Sequence, residues 1–151
     1  MVKLSQIIDF NPQFWKKIGD EITDEIRVQT QKRSKNVDGT PFKEYSTGYK
    51  NRKPRIRRGG GSNKVNLTLT GDMMNGLQTR SFNKESVTIG WSGVNAKKVQ
   101  WNEDMGRVVT SRDMPLSKQS LNIIETMTGK KIKLDARKVT QKPITFRLGK
   151  K

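Results

Sequence analysis

Cysteine and histidine are both absent from the 151 residues. The first absence excludes disulfides and thiolate metal sites. The second removes the usual general base and the commonest metal ligand, and no cofactor or resident metal is expected. Apolar residues make up 31% of the chain, so only a small core can form. Segments this polar either stay unfolded or order against partners. No apolar run approaches the ~20 residues that span a bilayer, and no membrane partner is expected. The start, MVKLSQIIDFNPQF, is too weakly apolar and too acidic at Asp9 for a signal peptide, which predicts synthesis in the cytoplasm. The length fits one domain, with or without appendages.

What the chain has in excess is positive charge, 31 basic against 14 acidic residues or +17. Residues 31–64 hold 11 basic and 2 acidic residues, a net +9, and residues 129–151 hold 9 and 1, a net +8. Residues 1–30 come to −1 and residues 65–128 to +1, so the segments that read as folded are close to neutral. A cationic internal loop and tail on a neutral body suit a polyanion or an acidic protein surface.

The best-spelled elements lie between Val65 and Trp91. Val65, Leu67 and Leu69 alternate with polar residues, which predicts a strand. Thr70 is expected to cap a brief helix bearing Asp72, Met73, Met74 and Leu77. Phe82 then leads through Asn83-Lys84 into a hairpin strand of Val87, Ile89 and Trp91. Upstream, Asn11-Pro12 predicts a helix start, with a Phe10–Trp15 staple and a stripe of Phe14, Ile18, Ile22 and Ile26 reaching about Gln31. Asp20, Glu21, Asp24 and Glu25 fall off that stripe. Downstream, Ala96–Met105 predicts a short helix burying Val99, and one side of Trp101 and Met105, that ends at Gly106. Ser117 predicts the cap of a last helix with Leu121, Ile124 and Met127 that stops near Gly129. Phe14, Ile18, Ile22, Leu67, Leu69, Leu77, Ile89, Trp91, Leu121 and Ile124 are the expected core. Phe42, Tyr45 and Tyr49 follow the Asp38-Gly39 turn without a clear period. They suit stacking on bases, but anchoring an irregular segment to the core is the favoured reading.

Residues 50–64, KNRKPRIRRGGGSNK, carry seven Lys or Arg in fifteen positions, a proline and three glycines, which predicts a long flexible basic loop. It lacks the glycine spacing and Lys-Ser/Thr ending of a phosphate-binding P-loop. Its Arg52, Lys53, Arg55, Arg57, Arg58 and Lys64 are candidates for contact with phosphates or an acidic partner. Lys130, Lys131, Lys133, Arg137 and Lys138 form a second candidate set. In the basic remainder, Ile144, Phe146 and Leu148 alternate with Thr145 and Arg147, as a late strand or one donated to a neighbour would.

From about Phe14 to Met127 the order of these pieces resembles the phage virion-morphogenesis family, the tail-completion and head–tail-joining proteins of tailed phages. A D-G-x-P-F-x-x-Y-S segment is matched by Asp38, Gly39, Pro41, Phe42, Tyr45 and Ser46. After a basic loop, L-x-x-T-G-x-M/L-x-x-x-L is matched by Leu67, Thr70, Gly71, Met73 and Leu77, and a strand ending I-G by Ile89-Gly90. The family's short helix closes with Gln or His before glycine, followed by an arginine and P-F-L-G/S. Here Gln100 is displaced, the histidine is absent, and the later motif reads Arg112-Asp113-Met114-Pro115-Leu116-Ser117.

The resemblance implies an α+β subunit, a small mostly antiparallel sheet packed by the first and last helices, over residues 1–128, with 129–151 as a basic extension. It implies a non-enzymatic virion protein, assembled in the host cytoplasm, forming a homo-oligomeric ring at the neck. Portal-side or tail-tube proteins would be its neighbours, and double-stranded DNA would pass through. The basic loops would face the DNA channel or an acidic neighbouring ring. The alternative is a free-standing, non-sequence-specific nucleic-acid-binding protein, although no helix clusters base-reading side chains. A metal-dependent hydrolase ranks behind both, because Asp72, Asp113 and Glu125 are dispersed.

Overall fold

Asn11 caps helix α1 (Pro12–Arg27), its Oδ1 accepting the Phe14 amide at 2.8 Å. The Phe10 ring lies 5.1 Å from Phe14 and 6.0 Å from Trp15, the expected staple. Ile18, Ile22 and Ile26 are buried along one face. The computed structural model describes residues 10–52, 65–68 and 71–140. Past Arg27 the helix widens into a π-helical turn, Val28–Lys32, that carries Gln29 and Thr30 inward. Gln29 Nε2 there donates to the Asn36 carbonyl.

The protein is α+β, with five α-helices and one two-stranded antiparallel sheet among the described residues. After α1 come α2 (Thr47–Arg52) and α3 (Asp72–Asn75), the hairpin β1 (Gln78–Phe82) and β2 (Val87–Gly90), then α4 (Gly93–Asp104) and α5 (Lys118–Thr140). The register pairs Gln78 with Gly90 and Phe82 with Val87, with an irregularity between Thr79 and Ser81. Arg80 sits at that irregularity and reaches the Gly90 and Gly76 carbonyls, both at 3.1 Å. Asn83 Oδ1 closes the connection by accepting the Glu85 and Ser86 amides, each at 2.8 Å, so this turn rests on side-chain bonding rather than on glycine.

A lone hairpin is marginal in water, and this one is held on α1. Trp15 Nε1 donates to the Lys84 carbonyl at 2.8 Å, and Thr79 Oγ1 donates to Asp20 Oδ1 at 2.8 Å. The Lys16 ammonium, and secondarily the Thr79 hydroxyl, hold the Asp20 carboxyl below its ordinary range. Gly19 lets the backbones close. A Cβ there would stand 2.6 Å from Val87 Cγ2 and 2.8 Å from Thr79 Oγ1.

The strand expected at Val65–Leu69 does not form over its described residues. Asn66 Oδ1 accepts the Thr68 amide, Thr68 Oγ1 donates back to the Asn66 carbonyl, and Leu67 adopts φ +50°. Local side-chain bonds displace the ladder here. Leu67 is still buried, and its amide donates to Tyr45 Oη at 3.0 Å. Leu69, Thr70 and the 144–148 alternation lie outside the described residues. Gly71, at φ +87°, occupies the N-cap of α3.

Two expectations about α5 change. Its inward stripe runs through Ser120, Ile124, Met127, Lys131 and Asp135, and Leu121 is turned outward, 48% exposed. Ser120 is fully buried and its amide donates to Ser117 Oγ, so a small residue allows the close approach that a leucine would block. The helix also runs through Gly129 to Thr140, which places the boundary drawn at residue 128 inside it. One interior glycine costs only about 1 kcal/mol, and the Lys131–Asp135 pair one turn later favours continuation.

Replacing Gly19 with alanine sets a helix-propensity gain of ~1 kcal/mol against overpacking of ~1–3 kcal/mol. Val87 and Thr79 are β-branched and stiff. Gly19→Ala is therefore expected to be net destabilising, lowering the urea midpoint with little change in slope. A raised midpoint would contradict the close approach.

Candidate functional site

The basic loop leaves α2 at Arg52, and the chain is next described at Val65. Between these ends a cleft of about 650 Å³ is lined by Lys32, Arg33, Ser34, Phe42, Glu44, Lys50 and Val65 among others. Arg33 pairs with Glu25 at 2.6 Å and Lys50 with Glu44 at 2.6 Å. The Lys50 contact holds the Glu44 carboxyl below its ordinary range. Lys32 and Arg52 are exposed. Ser34, at φ +56°, buries its Oγ with no hydrogen-bond partner. The root of the loop is thus itself a basic rim. Lys53, Arg55, Arg57, Arg58 and Lys64 lie outside the described residues.

In the second set, Lys130, Lys133 and Arg137 are exposed on the distal half of α5. Their i, i+3, i+7 spacing aligns them as one stripe. Lys131 does not join it, because its ammonium is paired with the buried Asp135. Lys138 follows Arg137 on the helix, and its side chain lies outside the described set. The stripe has the spacing to follow a row of phosphates or carboxylates without reading sequence.

A third feature was not singled out from the sequence. Buried Arg107 donates from Nε to the Lys43 carbonyl and from Nη2 to the Glu44 carbonyl, both at 2.9 Å. Its guanidinium carbon sits 4.7 Å from the centre of the Tyr45 ring. Tyr45 and Tyr49 pack with ring centres 4.6 Å apart. Phe42 and Tyr45 are buried in the core, so these aromatics anchor the segment. Against them opens a cleft of about 540 Å³, lined also by Leu67, Met73, Lys98, Trp101, Asn102 and Met105. Trp101 is 58% and Met105 48% exposed, whereas Val99 on the same helix is buried. No sequence signal singled out Arg107, which lies at the start of what reads as a connecting segment.

Among the described residues, no group of three acidic side chains is arranged to hold a metal ion, and no helix is long and apolar enough to cross a membrane. No family model, no curated protein and no solved structure matches this chain.

The chain's only two tyrosines both flank this cleft. Burial pushes both hydroxyls above their ordinary value of 10.0, opposed by the Arg107 charge and, at Tyr45, by the Leu67 amide. With folded values raised, stability is complete below the unfolded value near 10 and is lost as pH climbs through the folded ones. Phenolate absorbance of the native chain is expected to rise at higher pH than that of the urea-unfolded chain, with stability falling over the same interval. Coincident native and unfolded titrations would contradict the packing of this pair.

Proposed function

We propose that the protein is a structural subunit of a tailed-phage neck or tail-completion ring, non-enzymatic, and located in the virion. Its basic segments face either the DNA channel or an acidic neighbouring ring. The observation that carries this reading is the separation of charge. Residues 1–30 and 65–128 sum to zero, whereas exposed Lys32 and Arg52 at the loop root and Lys130, Lys133 and Arg137 along α5 gather positive charge at two places. The order of the motifs adds support, because Gly39, Phe42, Tyr45, Gly71, Met73 and Leu77 are all turn or core residues of one packed unit. A ring of such subunits would surround duplex DNA with phosphate contacts alone, and contacts without sequence preference do not obstruct passage.

The test measures mass in solution over a range of concentration and salt, together with duplex-DNA affinity. The proposal expects a discrete closed oligomer, alone or with phage neck proteins. It further expects DNA binding to weaken steeply with salt, and Lys130→Gln, Lys133→Gln and Arg137→Gln together to reduce the salt slope by about 3 if each meets a phosphate. A ring whose DNA binding ignores these changes would assign the stripe to an acidic protein neighbour. A chain that stays monomeric, ignores phage structural proteins and binds duplex DNA would overturn the proposal in favour of a free-standing nucleic-acid binder.

A further inference from the structure

Arg107 meets oxygen with only part of its guanidinium. Nε and Nη2 donate to the Lys43 and Glu44 carbonyls, whereas Nη1 reaches, among the described residues, only Met105 Sδ at 3.4 Å. A thioether is a weak acceptor. One terminal nitrogen of a cation that is 6% exposed thus faces a partner well short of what buried charge ordinarily finds. Met105 is the C-cap residue of α4 and is 48% exposed, and both residues line the aromatic cleft of about 540 Å³. Access from solvent and an adjacent cation therefore coincide at one thioether. We propose that Met105 is an oxidation site for peroxides whose sulfoxide oxygen becomes the third oxygen partner of Arg107, so that oxidation tightens the hold on residues 43–44.

The step is an oxygen transfer. A sulfur lone pair attacks one oxygen of hydrogen peroxide, and the S–O bond forms as the O–O bond breaks. The proton on the transferred oxygen leaves with the departing hydroxide as water, so sulfur is oxidised by the two electrons that peroxide gains. The product carries a polar S–O bond, a far better acceptor than the thioether it replaces. In a packed core that oxygen is disruptive, because nothing there solvates it. Met105 stands instead at a helix end, beside a cleft with room for one more atom, and a turn about its Cγ–Sδ bond sets the oxygen toward the guanidinium. The other described methionines lack this combination. Met73 receives the neutral Asn102 amide at 3.7 Å, but it is buried in the core with Met74. Met114 is 43% exposed, and among the described residues no donor meets its sulfur. Nothing in the Met105–Arg107 contact depends on the ring reading above.

Two measurements on the full-length chain test this. Under dilute hydrogen peroxide, read by peptide mass, Met105 and Met114 are expected to oxidise several-fold faster than Met73 and Met74. In a Met114→Leu chain, the form oxidised at Met105 is separated from its unoxidised parent. Its urea midpoint is expected to be higher by ~0.5 M, with little change in slope. Met105→Gln brings an amide oxygen to the same place without any oxidant. Its midpoint is expected above that of Met105→Leu, and the difference is expected to vanish in an Arg107→Met background. That disappearance separates a bond to the guanidinium from a general preference for a polar residue at an exposed helix end. Should Arg107→Met not fold, the oxidised chain and Met105→Gln decide between them. A Met105 that oxidises no faster than the buried methionines would remove the site. A midpoint that falls on oxidation, or a glutamine advantage that is absent or survives without Arg107, would overturn the bond.

Discussion

The fold depends on a buried arginine. Arg107 is a cation without a carboxylate partner among the described residues, and it is tolerated because two backbone carbonyls and an aromatic face surround it. Those carbonyls belong to Lys43 and Glu44, more than sixty residues earlier in the chain. The contact therefore fixes the segment that carries Tyr45, and Tyr45 in turn fixes Leu67 through its hydroxyl. Removing the guanidinium would break two hydrogen bonds from a charged donor, which contribute more than bonds between neutral groups. The aromatic cleft and the root of the basic loop both stand on this connection.

Scarcity of apolar residues explains why arginine has this role. Arg27 repeats it at α1, donating to the Met74 carbonyl at 3.3 Å and to the Leu77 carbonyl at 2.7 Å, and so ties the α3–β1 junction to the first helix. Arg80 does the same at the strand irregularity. Such clamps suit carbonyls left free at helix ends and turns, where a planar fork of donors meets two acceptors at once. They also divide the basic residues in two. Arg27, Arg80 and Arg107 hold backbone carbonyls, whereas Lys32 and Arg52 at the loop root and the α5 stripe face outward. Net charge alone does not make that distinction.

Much of the fold was legible where spacing is strict. The isoleucine stripe, the Asn11 cap, the staple and the hairpin follow from period and cap chemistry. Gly106 ends α4 with φ +75°, as its position after an apolar helix indicates. The failures share one cause, which is side-chain bonding that periodicity does not encode. Asn66 and Thr68 turn a strand-like alternation into a bend. Ser117 and Ser120 rotate α5 so that Leu121 faces outward, and the Lys131–Asp135 pair helps carry it past Gly129. At the site, the charge of the distal α5 residues was visible, but the pairing of Lys131 with Asp135 was not. Helical phase separates Lys131 from the outer stripe only once the buried side is known. Arg107 was hidden because its partners are carbonyls, which every residue type carries.

The most direct measurement is equilibrium unfolding of Arg107→Met, combined with phenolate titration of the same variant. Loss of two hydrogen bonds from a charged donor predicts a loss of about 2–4 kcal/mol. Removing the cation alone would move both tyrosines further up, so a return toward ordinary titration reports that the segment beneath them has loosened. A loss below about 0.5 kcal/mol, comparable to an ordinary surface change, with tyrosine titration still displaced upward, would contradict the claim that this arginine holds the two parts of the chain together.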